Sequence, residues 1–185
     1  LATQWADTFF SQLPNSYMAY YSRGLARLRE GNYSAATLDF EQAHNLNPND
    51  SIVLRWWACC EAHSGSFDSA KKHANMAILL SPKDRGMHVA FLALAMCAFI
   101  QRENKEFELW ANKAIQASPN APIRRAMMIA YAAEMDNQSL LEEHKKFLAQ
   151  AAPNFISSLL RGENIIFEKK EHTEFLLNGL RKAGF

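Results

Sequence analysis

Residues 17–50 read YMAYYSRGLARLREGNYSAATLDFEQAHNLNPND, and the order of their small and aromatic residues predicts two antiparallel helices. Gly24 follows Tyr20 by four residues, Gly31 and Tyr33 mark a turn, and Ala36, Phe40 and Ala43 recur at helical spacing until Pro48. Residues 51–84 (SIVLRWWACCEAHSGSFDSAKKHANMAILLSPKD) repeat the order with Leu54, Ala58, Gly65, Phe67, Ala70, Ala74, Ala77 and Pro82. Packing explains the marks. Two helices approach closely where Gly24 or Ala58 of the first meets Ala36 or Ala70 of the second, and Tyr20, Phe40 and Trp57 fill the gaps between. Gly31 and Gly65 let the chain reverse, and a proline beyond the second helix prevents its continuation.

The period extends along the chain. Five of the six prolines, Pro14, Pro48, Pro82, Pro119 and Pro153, stand 34, 34, 37 and 34 residues apart. A 34-residue helix–turn–helix unit with these marks resembles the tetratricopeptide (TPR) repeat. The resemblance implies an all-α fold, a right-handed α-α superhelix of TPR hairpins with a C-terminal capping helix. Residues 17–50 and 51–84 are the first two repeats. Residues 85–121 form a divergent third, with Phe91, Ala95, Ala111, Ala114 and Pro119 in place. Arg102, Asn104 and Phe107 stand there where glycine, an aromatic and alanine belong, and three residues are added near Arg85 and Gly86. Residues 122–153 keep the length but few marks, with Ile129, Asp136, Leu141 and Leu148 at the key places. Residues 1–16 fit the second helix of a truncated preceding repeat (Ala2, Ala6, Pro14, with Phe9 replacing an alanine), which together with a start at Leu1 suggests a piece of a longer chain. Residues 154–185 read as a short helix ending near Gly162 and an amphipathic capping helix from about Thr173 to Lys182, with Phe175, Leu176, Leu177 and Leu180 to bury.

Composition narrows the classes of function. The 185 residues carry 20 Lys+Arg against 19 Asp+Glu, a net charge of +1, which gives no electrostatic reason to expect a nucleic-acid partner. A hydrophobic content of 49% and the scarcity of Gly and Pro argue against disorder. The longest apolar run, Val89–Ile100, is shorter than the ~20 residues a membrane span needs, and LATQWADTFF lacks the basic region of a signal peptide, so no membrane contact is expected of this segment. The three cysteines, Cys59, Cys60 and Cys97, form no disulfide framework, which suggests a reducing, cytoplasmic location.

Reaction motifs are missing. No phosphate-binding glycine loop or nucleophile elbow occurs, and no cofactor is expected. Cys59 and His63 lie four apart on one helix, but two ligands are too few for zinc, and a nucleophile–base pair would lack an acyl-stabilising loop. His44, His73, His88, His144 and His172 are dispersed and read as surface or boundary residues. The mixed charges around Lys145-Lys146 and Lys169-Lys170 read as solvated helix faces. The chain is therefore read as a non-catalytic interaction module, with a thiol enzyme on a solenoid scaffold as the remote alternative.

In a TPR superhelix the first helix of each pair lines the hollow side, where partners bind. The resemblance places Met18, Tyr21, Leu25, Leu28 and Arg29 there from the first repeat, and Ile52, Arg55, Cys59 and His63 from the second. Val89, Leu92, Met96 and Phe99 follow from the third, and Ile123, Ala126 and Ala130 from the fourth. Chaperone-binding TPR proteins use a Lys and Asn clamp for a carboxylate. Its positions here hold Tyr21, Leu25, Trp56, Val89 and Ala93, so that clamp is absent. The largely apolar set suits the face of an amphipathic helix from a protein or peptide partner, or from a second copy. The competing expectation is that the chain's own tail fills the groove. The ending Gly179, Leu180, Arg181, Lys182, Ala183, Gly184 after a TPR run resembles the C-terminal region of bacterial class III adenylate and guanylate cyclases, and related tails occur on winged-helix regulators.

Overall fold

The structure is a computed structural model that describes residues 2–164 and 166–185, without the side chains of Ala2 and Thr3. The reading of Ala2 as a packing mark falls outside the described side chains. The helices are α1 (Ala2–Gln12), α2 (Tyr17–Arg29), α3 (Tyr33–Leu46), α4 (Ser51–Ser64), α5 (Phe67–Leu80), α6 (His88–Ile100), α7 (Asn104–Ala117), α8 (Pro122–Glu134), α9 (Gln138–Ala151), α10 (Phe155–Leu160) and α11 (Lys170–Lys182). No strand occurs among the described residues. The helices α2–α3, α4–α5, α6–α7 and α8–α9 pair as hairpins and stack into a right-handed superhelix.

Local chemistry sets the period. Each second helix ends at a residue forced out of the helical region by the proline after it: Asn47, Ser81, Ser118 and Ala152 all have φ between −142° and −154°. Each first helix closes with an N–H reaching back five residues, Asn32 to the Arg27 carbonyl, Ser66 to Glu61, Glu103 to Ala98 and Asn137 to Ala132. This closure needs a left-handed residue, supplied by Gly31 (φ 76°) and Gly65 (φ 87°), and in the later hairpins by Arg102 (φ 58°) and Asp136 (φ 51°). The three residues added before the third hairpin form a 3-10 turn, Arg85–Met87, that buries Met87.

Packing follows the small residues. A Cβ on Gly24 would stand 3.0 Å from the Phe40 ring, and Ala36, Ala58 and Ala70 are fully buried. Buried Asp39 ties α3 to α2 by accepting from Arg23 Nη2 at 2.7 Å and Arg27 Nη1 at 2.8 Å. The third hairpin packs differently. Phe107, at the alanine position, meets Phe99 at 5.3 Å and Tyr131 at 4.8 Å between ring centroids. Tail helix α11, starting three residues earlier than the sequence suggests, caps α8 with Gly179 against Ala130, where a Cβ would lie 2.6 Å from the alanine Cβ.

Candidate functional site

The first helices and the tail enclose a hollow of about 890 Å³. Leu25 and Leu28 line one side with Trp56, Cys59 and His63; Leu92, Met96 and Ile123 continue the wall. The opposite wall comes from the tail: Phe155, Glu163, Asn164, Ile166 and Glu168. Arg29, Glu30 and Tyr33 stand at the α2–α3 turn end.

The sixteen residues assigned to the groove separate into four groups. Leu25, Leu28, Arg29, Cys59, His63, Leu92, Met96 and Ile123 border the hollow. Met18 and Ile52 are solvent-exposed outside it, at 43% and 38% of full exposure, and Tyr21 is half-buried against Phe40. Arg55 serves the α5–α6 connection, where its guanidinium lies on Gly86 and pairs with Asp84 at 3.0 Å. Val89, Phe99, Ala126 and Ala130 are buried rather than open, Phe99 under Phe175 of the tail and Ala130 under Gly179. The tail thus covers the groove over α8 and the end of α6, and leaves the part between α2, α4 and α6 open.

The tail is fastened at one residue of α4. His63 holds the Ile166 carbonyl through Nδ1, and its own carbonyl accepts from the Glu168 N–H at 2.9 Å. Phe167 between them is fully buried, and its carbonyl accepts from Thr173 Oγ1 at 2.9 Å. Sequence reasoning missed this wall. Ile165, Ile166 and Phe167, a short apolar run in the sequence between polar stretches, were the one signal available.

The electrostatics oppose a reaction at the Cys59–His63 pair. Burial pushes the Cys59 thiol up to about 12, with Cys60 adding to the effect, so the thiol stays protonated near neutrality. Burial also lowers the His63 pKa, against the pull of the Ile166 carbonyl. No group of three or more His, Cys, Asp or Glu able to hold a metal occurs among the described residues. Two histidines depart from the expected surface placement. His73 is buried with Nδ1 2.8 Å from Glu61 Oε2 and its ring stacked on Trp57, and His144 is buried where Arg125 Nη1 donates to its Nδ1 at 2.8 Å.

Comparison with known proteins agrees with the geometry. Residues 17–50 match the family described as tetratricopeptide repeat. Among solved structures, the chain resembles YrrB, a TPR protein with an unusual peptide-binding site, at a TM-score of 0.60 and 12% identity over 96% of this chain and 90% of that one. No curated protein matches the chain. With one repeat recognised by sequence over residues 17–50 and the array recognised by shape, the chain carries a tetratricopeptide repeat and has the TPR fold.

Proposed function

We propose that the chain is a non-catalytic recognition module that seats a protein or peptide partner in the open part of its groove. The hollow between α2, α4, α6 and the tail carries this reading. Its volume of about 890 Å³ is bordered by Leu25, Leu28, Trp56, Leu92 and Ile123, an apolar wall suited to side chains spaced along a helix or extended segment. The TPR likeness supports the same class of activity, and YrrB is described as having a peptide-binding site.

A random peptide library panned on the full chain tests it. Enriched peptides should lose at least tenfold in affinity to Leu28→Asp and be unaffected by Leu79→Asp, a position 82% exposed on α5. Enriched peptides that bind both variants equally would place recognition elsewhere. Self-association is a second reading, favoured by Trp5 (71% exposed) on α1 and exposed Leu13 just beyond it; a concentration-dependent mass in sedimentation, abolished by Trp5→Ser, would support it.

For context we propose the regulatory C-terminal region of a cytoplasmic signalling protein such as a nucleotide cyclase, with a sensor arm of a winged-helix regulator as the alternative. The Gly179–Gly184 ending supports the resemblance, and its residues also have packing duties: Gly179 and Leu180 seat on the array, and Gly184 (φ 90°) ends the helix. The three cysteines are free and buried, as a reducing compartment would leave them. No described helix is long and apolar enough to cross a membrane. The residues encoded ahead of Leu1 decide between the two contexts.

A further inference from the structure

The geometry points to a second binding site, between the α6–α7 turn, the end of α8 and α11, that takes a free apolar α-amino acid as its zwitterion. The site shares no lining residue with the groove and stands apart from the groove reading.

This hollow holds about 180 Å³, below the ~300 Å³ at which sites for drug-sized ligands begin, so it has room for one side chain and not for a helix. Its floor is aromatic. Phe99 meets Phe175 at 5.0 Å and Phe107 at 5.3 Å between ring centroids, and Phe107 meets Tyr131 at 4.8 Å. The Tyr131 hydroxyl is already used, since it donates to Glu108 at 2.6 Å, and the floor offers rings alone. The rim carries two charges of opposite sign. Arg102 stands 5.1 Å from the centre of the Phe175 ring, and Glu134 ends α8. Neither forms an ion pair among the described residues, with the other or with any third group. Lys182 leaves the Glu134 carboxylate alone, because it donates to the Glu134 backbone carbonyl at 3.5 Å and pairs with Asp136 at 3.7 Å. Asn104 ties the start of α7 to the residue after α8, its amide donating to Met135 Sδ at 3.5 Å. Arg102 also holds its place at a backbone cost, for its φ of 58° is the conformation that Gly31 and Gly65 supply in the earlier hairpins. An apolar floor between one unpaired cation and one unpaired anion has a definite complement. A ligand with a net charge would leave one rim group unmatched, and an uncharged one would leave both. An α-amino acid matches all three parts: its carboxylate accepts from the Arg102 guanidinium, its ammonium donates to Glu134, and its side chain rests on the rings.

Calorimetric titration of the full chain with L-phenylalanine tests it. The amino acid should bind with a Kd of about 1 mM or tighter. Phenylalaninamide, which lacks the carboxylate, and N-acetylphenylalanine, which lacks the ammonium, should each bind at least tenfold more weakly. L-Alanine, a zwitterion with almost no side chain, should be weaker by a similar factor. Glu134→Gln should weaken L-phenylalanine at least tenfold and leave N-acetylphenylalanine unchanged, since that ligand has no ammonium to lose. Arg102→Gln should weaken L-phenylalanine and spare the amide. Both side chains are exposed, and circular dichroism should show unchanged helicity in both variants. No saturation by L-phenylalanine up to about 10 mM would remove the site. N-acetylphenylalanine binding as tightly as L-phenylalanine would show a carboxylate site of the kind a peptide's C-terminus fits, and the amide doing so would show a cation site. Either result overturns the zwitterion. Binding that ignores both substitutions would place the amino acid elsewhere on the protein and overturn the assignment.

Discussion

The first two hairpins and the last two solve one packing problem by different means. In α2–α5 each close approach is met by a small residue, Gly24 on Phe40 or the fully buried Ala58 and Ala70, and each turn inside a hairpin by a glycine. In α6–α9 the turns are made by Arg102 and Asp136, an alanine place holds Phe107, and α8 is covered by α11. The regular half is held mainly by neighbours along the repeat, with the tail touching the end of α4 and the start of α5 at His63, Gly65 and Phe67, whereas in the irregular half the tail helix covers α8. A solenoid ordinarily gains stability from contacts between adjacent units. Here a contact from far along the sequence replaces part of one such interface and also walls the groove. The irregular repeats are thus the ones that the tail completes.

Restoring the regular pattern in the irregular half should be the most damaging change. Phe107→Ala installs the residue the repeat calls for, yet Phe107 is 1% exposed and packed on Phe99 and Tyr131. The expected loss is about 3–5 kcal/mol in denaturant unfolding. A loss below about 1 kcal/mol would mean that this hairpin can relax to the regular packing and would erase the comparison.

Overpacking the helix contacts should cost less. Gly24→Leu and Ala70→Leu in the regular half, and Gly179→Leu at the tail contact, are each expected to lower stability by about 1–3 kcal/mol. The first two should destabilise the hairpins they join. Gly179→Leu should instead raise hydrogen exchange in α11 while sparing α2–α5, since its added atoms meet Ala130 of α8.

Acid offers a third separation. Burial lowers the pKa of His44, His63, His144 and His172 below the ordinary 6.5, aided by Arg125 at His144 and by Lys169 at His172. A folded pKa below the unfolded one means that the unfolded chain takes up the proton first. Stability is then full above pH 6.5 and is lost as pH falls below it, by at most about 1.4 kcal/mol per pH unit for each histidine the fold keeps neutral. His63 fastens the tail from α4, His172 lies on α11 and His144 on α9, while His44 lies on α3, so the tail and its contacts should loosen first. His63→Gln should flatten the acid limb of a melting-temperature profile; an unaltered limb would show that His63 titrates alike folded and unfolded.

How much of this was legible depended on whether the information was local. Pro48, Pro82, Pro119 and Pro153 act on the residue just before them, so the helix ends could be read directly. Gly31 and Gly65 likewise announce their turns. Eight of the sixteen groove residues border the hollow, because repeat register fixes which side of a first helix faces inward. The other half of the wall could not be read this way. Whether Ile166 and Glu168 lie over His63 depends on where a nonrepeating segment of more than thirty residues folds back, and neither period nor composition encodes that return. Arg55 left the groove for a similar reason: Gly86, lacking a Cβ, leaves room for its guanidinium to lie against the added 3-10 turn and pair with Asp84.

The turns give the finest comparison, since they isolate backbone strain from contact. A Cβ at Gly31 would meet no atom within 4 Å, so Gly31→Ala tests the left-handed conformation alone and should cost about 1 kcal/mol. Gly65→Ala should cost more, because its Cβ would also stand 2.9 Å from the His172 ring and 3.1 Å from Lys169, forcing the tail to move. The reverse exchange at Asp136 should stabilise: glycine relieves strain at φ 51°, although its freer unfolded chain and the loss of an exposed 3.7 Å pair with Lys182 of the tail offset part of the gain, leaving about 0.5 kcal/mol. Arg102→Gly should not show that gain. Its backbone relief is set against the loss of the guanidinium that sits 5.1 Å from the centre of the Phe175 ring, a contact joining the third hairpin to the tail. Equal responses at 102 and 136 would mean that this cation contributes no more to holding the tail than the exposed pair of Asp136 with Lys182.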